Sequence, residues 1–279
     1  MLRKILAGVL LVIIPFAQAQ DEIEEIIVLA QKKEQSLQEV PLAVSVVTST
    51  TMERAQINDI IDLQSVVPSL RVTQLQTSAN TNFLIRGFGN GANNPGIEPS
   101  VGVFIDGVFR SRSASALADL PNLERVEVLR GPQSTLFGKN ASAGVINVVT
   151  KVADPAEMDG ASGSVSLTAG DLSQILVKGD IMAPLSDSVG IGLSGYSHER
   201  DGYFKNLANG SDINNRSRWG VRGELSFYPS DSVTIRLLAD VDEIDEKCCG
   251  VANLVSGPTV PAVLATGGNI VQEDYYGRA

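Results

Sequence analysis

The sequence has 279 residues with 22 basic and 32 acidic side chains, which gives a net charge of −10 at neutral pH. So acidic a chain is repelled by phosphate backbones, and this argues against nucleic acid as a partner. With one histidine and two cysteines it supports neither a disulfide framework nor a histidine-rich metal centre, and we expect no metal or other cofactor.

Residues 1–19 have the composition of a cleaved secretory signal peptide. Arg3 and Lys4 precede an apolar run over residues 5–16, and Ala17 and Ala19 are small residues of the kind that a signal peptidase reads. The run is too short to cross ~30 Å of hydrocarbon, which takes about 20 residues in a helix. We therefore predict an exported protein, and no later apolar run is long enough for a spanning helix.

A polar arm follows at residues 20–39 and contains one apolar patch, EEIIVLA, at residues 24–30. The composition of the patch favours a short β-strand. The pattern leaves two alternatives open: a short strand on a flexible arm, or the first strand of the next domain.

Residues 40–151 are predicted to form one compact domain of short helices and strands. TTME at residues 50–53 has the spacing of a capping box and predicts a helix start, and a second helix is expected over residues 58–68, ended by a proline. Asp106 and Gly107 stand between two apolar runs and predict a tight hairpin turn. The predicted strands lie within residues 42–49, 82–90, 101–109, 123–131 and 143–151.

Alternating apolar and polar residues dominate the chain after residue 160. Trp219, Val221, Leu225 and Phe227 share one face of a predicted strand, whereas polar residues share the other. Runs of about ten residues suit tilted membrane strands, and tight turns alternate with long polar loops. The pattern favours about five antiparallel strands of an outer-membrane barrel over the alternative, a soluble β-sandwich.

The stretch RGPQSTLFGKN superficially resembles a phosphate-binding loop. Gly131 and Gly138 are, however, separated by six residues, and Asn140 stands where a magnesium-binding hydroxyl is required. A strand rather than a long helix follows it. We therefore reject phosphate binding here.

Catalytic and metal-binding constellations are equally weak. His198 is alone, so no nucleophile and base assemble for a hydrolase. The acidic run at residues 240–246 is expected to be a solvated loop. The adjacent Cys248 and Cys249 leave two alternatives open, a vicinal disulfide or pairing with cysteines beyond Ala279.

Several stretches between Glu39 and Lys151 stand together in an order that is similar to the plug domain of TonB-dependent outer-membrane receptors. In chain order they read QEVPLAVSVVTSTTMERAQINDIIDLQSVVPSL, FLIRGFG, SVGVFIDGVF and LERVEVLRGPQSTLFGKNASAGVINVVTK. The resemblance implies an α+β plug domain followed by the first antiparallel strands of a transmembrane β-barrel, 22-stranded in the family and incomplete here. The implied domains are a signal peptide at 1–19, an arm with the TonB box at 20–39, a plug at 40–151 and the first part of the barrel at 160–279, and we expect a longer parent chain.

The same resemblance implies roles for individual residues. The TonB box, a strand recruited by the energy-coupling partner TonB, would comprise Glu25, Ile26, Ile27, Val28, Leu29 and Ala30. Arg86 and Arg130 would lock the plug by pairing with acidic residues that face the barrel lumen, with Glu224 and Asp240 as candidates. The plug turn glycines would be Gly87, Gly107, Gly131, Gly138 and Gly144, of which Gly138 and Gly144 would let the plug backbone approach the barrel wall. The ligand-facing plug loop would present Phe88, Asn90, Asn93 and Asn94.

The function that the resemblance implies is that of a receptor, not an enzyme. It would bind a scarce extracellular ligand, a ferric siderophore in most members, and import it into the periplasm with energy transmitted by TonB. Its partners would be TonB, outer-membrane lipid and the small ligand, and its location the bacterial outer membrane. The alternative is a secreted or surface β-rich binding or adhesion module without transport.

Overall fold

The computed structural model describes residues 26–75, 77–91, 94, 96–113, 122–206, 209–230, 232–250 and 257–268. The predicted signal peptide at residues 1–19 lies outside this part of the chain, as does Glu25. Within the described residues no helix is long and apolar enough to cross a membrane.

The arm and the plug form the first half of the described chain. Their elements in chain order are β1 (Ile27–Val28), β2 (Gln35–Ser36), β3 (Val44–Thr48), α1 (Ser49–Arg54), a 3-10 turn (Asp62–Ser65), β4 (Leu70–Leu75), β5 (Thr77–Ile85), β6 (Val101–Ile105), β7 (Val108–Arg110), β8 (Leu123–Arg130), α2 (Ser134–Phe137), β9 (Gly144–Thr150) and a second 3-10 turn (Pro155–Glu157).

A five-stranded mixed sheet forms the centre of the plug, in the order β3-β8-β9-β6-β7. Strands β6 and β9 are parallel, and the other neighbours are antiparallel. The hairpin β4–β5 is separate from this sheet. All seven residues of β9 are buried, as expected for a strand that is covered on both faces.

The two faces of the plug sheet bury different partners. Val126, Val128 and Ile146 face a core that also contains Met52 of α1 and residues of the β4–β5 hairpin. The opposite face carries Leu129, Val145 and Phe104 and is covered by the arm. Because side chains alternate along a strand, odd-numbered residues of β8 and β9 point toward the arm.

The helices are shorter than the sequence predicts and begin at different residues. Helix α1 is capped by Thr48, whose hydroxyl accepts a bond from the Thr51 amide at 3.3 Å, so the predicted capping box at residues 50–53 is wrong. The last residue of β3 is already extended and supplies the cap earlier. The predicted second helix is a single 3-10 turn, because the Asp59 carboxylate takes the Ile61 amide at 2.7 Å and competes with helical bonding.

The second half of the described chain is dominated by long strands. Its elements are β10 (Ser162–Gly170), β11 (Gln174–Ser186), β12 (Val189–Arg200), β13 (Phe204–Lys205), β14 (Asp212–Ile213), β15 (Arg216–Ser230), β16 (Val233–Ile244) and α3 (Val260–Ala265). Five of these strands pair antiparallel in the order β10-β11-β12-β15-β16, and we call this sheet the wall. The predicted number of strands is confirmed for the described residues.

The wall has an apolar outer face and a polar inner face. On β15 the side chains of Trp219, Val221, Leu225 and Phe227 are between 38% and 43% exposed, whereas Arg218, Arg222 and Ser226 are buried against the plug. The predicted faces of this strand are confirmed. Apolar residues that face outward in every second position are typical of a sheet whose solvent is lipid.

Candidate functional site

The arm folds back onto the plug as a small hairpin. Strand β1 pairs antiparallel with β2, in the register Ile27 with Ser36 and Val28 with Gln35. Val28 and Ala30 are fully buried on the plug, whereas Ile27 is 38% exposed. Of the two alternatives left by the sequence, the structure shows the short strand on an arm, since β1 is not part of the plug sheet.

A buried carboxylate on the plug sheet meets the backbone of this arm. Glu127 of β8 is fully buried and accepts a hydrogen bond from the Leu29 amide at 2.9 Å. It also accepts bonds from Arg125 Nε at 2.8 Å and Asn147 Nδ2 at 3.1 Å. All three plug residues have odd numbers on β8 or β9, so the alternation of the sheet places them on the arm side. The carboxylate therefore accepts hydrogen bonds from three donors.

The turn of the arm hairpin makes a second contact with the plug. The Lys32 ammonium lies 4.2 Å from the ring centroid of Phe137 and 4.9 Å from that of Phe104, within the range of a cation–π interaction. Partial burial in this position lowers the pKa of the Lys32 ammonium. The arm is thus held on the plug by a backbone hydrogen bond, by apolar contacts and by a cation–π interaction.

The plug and the wall are joined by a network of ion pairs centred on Asp106. This carboxylate, at the tip of the β6–β7 hairpin, is 1% exposed and contacts Arg222 of β15 directly, with Arg236 of β16 at 3.9 Å. Its oxygens also accept bonds from the Thr150 amide and hydroxyl, both at 2.9 Å. Two wall arginines therefore converge on one plug aspartate.

Two further pairs extend this network along the interface. Asp240 accepts a bidentate pair from Arg110 of β7 at 2.8 and 3.1 Å, and it lies 3.3 Å from Arg222. Glu224 pairs with Arg236 at 2.8 Å. Each arginine that reaches Asp106 is thus shared with a second carboxylate, which lowers the cost of burying these charges.

A second group of charges joins the plug to the segment after β16. Glu246 contacts Arg218 directly and accepts a bond from Ser78 of the plug at 2.7 Å. Arg218 has a fully buried side chain and lies 3.2 Å from Asp59, also of the plug. This group therefore fastens the wall to the plug in addition to the network at Asp106.

The predicted lock arginines do not take part in either group. Arg86 is exposed at a positive φ of 54°. Arg130 donates to the backbone carbonyls of Ala43 at 3.2 Å and Val44 at 3.4 Å, which fastens β3 to β8. The two predicted acidic partners, Glu224 and Asp240, do lie at the plug–wall interface, but they form ion pairs with other arginines.

The predicted ligand-facing loop is well bonded internally. Phe88 is 73% exposed. Asn90 is used by the loop itself, since its amide contacts the Glu98 carbonyl and its oxygen accepts a bond from Ser100 at 2.6 Å. Asn94 accepts a bond from the Gly96 amide at 2.9 Å, and Asn93 lies outside the described residues.

Four of the predicted turn glycines adopt φ values in the left-handed region. They are Gly87, Gly107, Gly131 and Gly138, with φ between 77° and 95° and nothing within 4 Å of an added Cβ. The predicted close approach of Gly138 to the wall is therefore wrong, because this glycine ends α2. Gly144 does need its small size, but against the plug: a Cβ there would lie 2.5 Å from the Leu129 carbonyl oxygen.

Sequence reasoning missed the residues that connect the parts of the molecule. Asp106 was predicted only as a turn residue, and Glu127 and Arg125 were predicted only as part of a strand. The pattern ERVEV contained a usable signal, because charged residues that alternate with valine in a strand covered on both faces must be paired. No local signal pairs Asp106 with Arg222, which lies 116 residues away.

The structure also bears on possible metal ligands, on the two cysteines and on His198. Within the described residues no group of three or more histidine, cysteine or carboxylate side chains is placed to hold a metal ion. Cys248 and Cys249 are joined to each other in a disulfide, which is the first of the two alternatives. His198 is buried on β12 beside the Gln174 amide at 3.3 Å.

Comparison with known proteins agrees with this architecture. Residues 36–145 match the family model described as the TonB-dependent Receptor Plug Domain. The chain is 30% identical over 230 residues to the pesticin receptor of Yersinia pestis, covering 81% of this chain and 33% of that protein. It is 31% identical over 163 residues to the vitamin B12 transporter BtuB of Vibrio vulnificus, covering 57% of this chain and 25% of that protein.

The solved structure of the ferric yersiniabactin uptake receptor FyuA from Yersinia pestis has the same fold. It superposes with a TM-score of 0.65 at 24% identity, covering 72% of this chain and 31% of that one. The chain spans a quarter to a third of the length of the curated relatives described above.

A plug domain fastened to the polar inner face of an antiparallel wall, with an arm docked on the plug, defines an outer-membrane receptor architecture. The chain belongs to the TonB-dependent receptor family, and it is an outer-membrane protein. The family consists of receptors and transporters.

Proposed function

We propose that this protein is a TonB-dependent receptor that binds a scarce extracellular ligand, a ferric siderophore, and imports it into the periplasm. The observation that carries the proposal is the arm: a short apolar strand docked on the plug but outside its sheet, with Ile26 and Ile27 exposed. Such a strand is suited to join the sheet of a partner, because backbone hydrogen bonds supply affinity with little demand on sequence. We propose TonB as that partner.

The siderophore assignment rests on the relatives. One is named a ferrioxamine B receptor, another a ferric yersiniabactin uptake receptor, whereas a third is named a vitamin B12 transporter. We propose that Phe88 and the loop around it face the incoming ligand, since this aromatic side chain is the most exposed one described in the plug. The receptor itself would perform no covalent chemistry.

In this mechanism the arm transmits force to the plug. TonB would bind β1 as an added strand and pull it, and the pull would reach β8 through the bond between Leu29 and Glu127 and the apolar contacts of Val28 and Ala30. Loosening of the plug would then have to overcome the ion pairs at Asp106 and Glu246. These pairs would keep the lumen closed until force is applied.

The test is uptake by a host strain that lacks its own receptors for the probes, using iron-55 ferrioxamine B, iron-55 yersiniabactin and labelled vitamin B12. We expect accumulation of a ferric siderophore that stops when TonB is deleted. Accumulation of vitamin B12 alone would refute the siderophore assignment. Surface binding of the ligand by the unaltered protein without any TonB-dependent uptake would refute transport and favour an adhesion module.

A further inference from the structure

Three backbone groups of the docked arm around β1 are hydrogen-bonded in the structure. The Ile26 carbonyl accepts a bond from the Leu37 amide at 2.8 Å, and the Leu29 carbonyl accepts one from the Lys32 amide at 2.9 Å. The Leu29 amide is taken by Glu127 at 2.9 Å. A partner strand that adds to the edge of β1 away from β2 needs the Leu29 amide, which already donates to Glu127, so the docked arm and the partner-bound arm compete for this group.

Among these bonds, the one to Glu127 differs from the others in its partner. The other two are made within the arm hairpin and move with it, whereas the Glu127 bond joins the arm to the plug sheet. Glu127 is fully buried and lies 2.8 Å from the Arg125 guanidinium. A hydrogen bond from a backbone amide to a buried carboxylate is about twice as strong as one between neutral groups.

The surroundings of Glu127 fix the direction of its oxygens. Oε1 faces Arg125 Nε at 2.8 Å and the Leu29 amide, and Oε2 faces the Asn147 amide at 3.1 Å. Only donors surround the carboxylate in these contacts, so a neutral amide in its place would bring donor against donor. The arm also borders a cavity of about 680 Å³ that extends to Arg236 of the wall.

We propose that Glu127 is the positioning residue that holds the arm in its docked, partner-inaccessible state, through its bond to the Leu29 amide. The inference rests on the proposed function in assuming that TonB recruits the arm. Docking of the arm on the plug does not depend on that assumption, so docking and recruitment by TonB are tested separately.

The experiment measures arm mobility in the protein purified from outer membranes. A spin label is placed at Lys33→Cys, in the exposed turn of the arm outside β1 and under non-reducing conditions that preserve the Cys248–Cys249 bond. In Glu127→Gln we expect the mobile, undocked population to rise about ten-fold, equivalent to about 1.4 kcal/mol. Glu124→Gln is the matched control, because Glu124 is half exposed and contacts Arg125 but not the arm.

A second variant tests the same bond from the arm side. Leu29→Pro removes the amide donor without touching the plug interior, so it decides the question even where Glu127→Gln impairs folding. Equal mobilisation by both variants, with Glu124→Gln unchanged, supports the proposal. A label that stays immobile in Leu29→Pro and in folded Glu127→Gln overturns it.

The second readout is capture of the periplasmic domain of TonB in the absence of ligand. We expect Glu127→Gln to raise capture about ten-fold, an effect that a purely structural role in the plug core would not produce. If the arm becomes mobile but TonB is still not captured, the positioning role stands and the proposed function fails. If capture rises while the label stays immobile, the positioning role fails.

Discussion

The ion pairs at Asp106 predict a specific cost for freeing the plug from the wall. In Asp106→Asn the side chain keeps its size and its bonds to Thr150 can be retained in part, but its charge toward Arg222 and Arg236 is lost. The backbone tolerates the change, because the φ of 48° at this position suits asparagine as well as aspartate.

The magnitude follows from how the arginines are shared. Removing one partner of a buried ion pair costs about 3–5 kcal/mol when the remaining charge is left alone. Here Arg222 keeps Asp240 at 3.3 Å and Arg236 keeps Glu224 at 2.8 Å. The loss is then closer to that of one hydrogen bond to a charged group, about 2 kcal/mol. Asp240→Asn should cost less, about 1 kcal/mol or below, because the pair of Asp240 with Arg110 is partly exposed to solvent.

The assay follows urea unfolding of the plug in the membrane-embedded protein. A cysteine in place of the fully buried Ala141 becomes accessible to a water-soluble maleimide when the plug opens. With a slope of about 2 kcal/mol per molar urea, Asp106→Asn should lower the midpoint by about 1 M. Asp187→Asn, in the exposed turn between β11 and β12, is the control.

A double-mutant cycle with Arg222→Met isolates the pair itself. We expect a coupling energy of about 1 kcal/mol or more between the two positions. Additive effects, or a midpoint for Asp106→Asn equal to that of the Asp187→Asn control, would refute the idea that Asp106 fastens the plug to the wall.

Three further predictions concern the arm, the plug interior and the outer loop. Ile27→Pro, which removes a backbone donor, should abolish TonB-dependent uptake and leave surface binding of the ligand intact. The control variant Ile27→Ala should retain uptake. Uptake by the proline variant would mean that β1 is not the TonB box. Gly144→Ala should lower the free energy of unfolding by about 1–3 kcal/mol in the urea assay, because its Cβ would lie 2.5 Å from the Leu129 carbonyl oxygen; an unchanged midpoint would contradict this packing. The hydrogen bond from Lys139 holds the pKa of the Glu98 carboxyl below its usual range, so the stability from this pair is present above the unfolded pKa and is lost as pH falls through the folded pKa. Carbon-13 titration should show the pKa of Glu98 rising in Lys139→Met, and an unshifted value would contradict the contact.

Local physical chemistry explains why much of the fold can be predicted from the sequence. Asp106 and Gly107 adopt φ values of 48° and 79°, the backbone that a two-residue hairpin turn requires and that this pair of residues tolerates. The alternation along β15 predicts which side chains face outward, because successive residues of a strand point to opposite faces. Both signals depend only on neighbouring residues.

The helices show where local signals compete. Thr48 and the threonines that follow all offer capping hydroxyls, and the end of β3 decides which is used. Asp59 and Asp62 bind nearby amides and so limit the expected second helix to one turn. The composition of each segment was informative, but its boundaries depended on the elements packed beside it.

The sequence alone predicted, in order, a short apolar β-prone segment, a compact domain of short helices and strands, and a set of long alternating strands, since each has its own periodicity and turn chemistry. The tertiary structure alone decided which charges meet: Asp106 pairs with Arg222 and Arg236 rather than Arg86 or Arg130 pairing with Asp240, and Glu127 meets the amide of Leu29. These contacts join residues about 100 positions apart. An ion pair forms where two separately folded parts bring opposite charges together in a buried interface, and no local pattern encodes that placement.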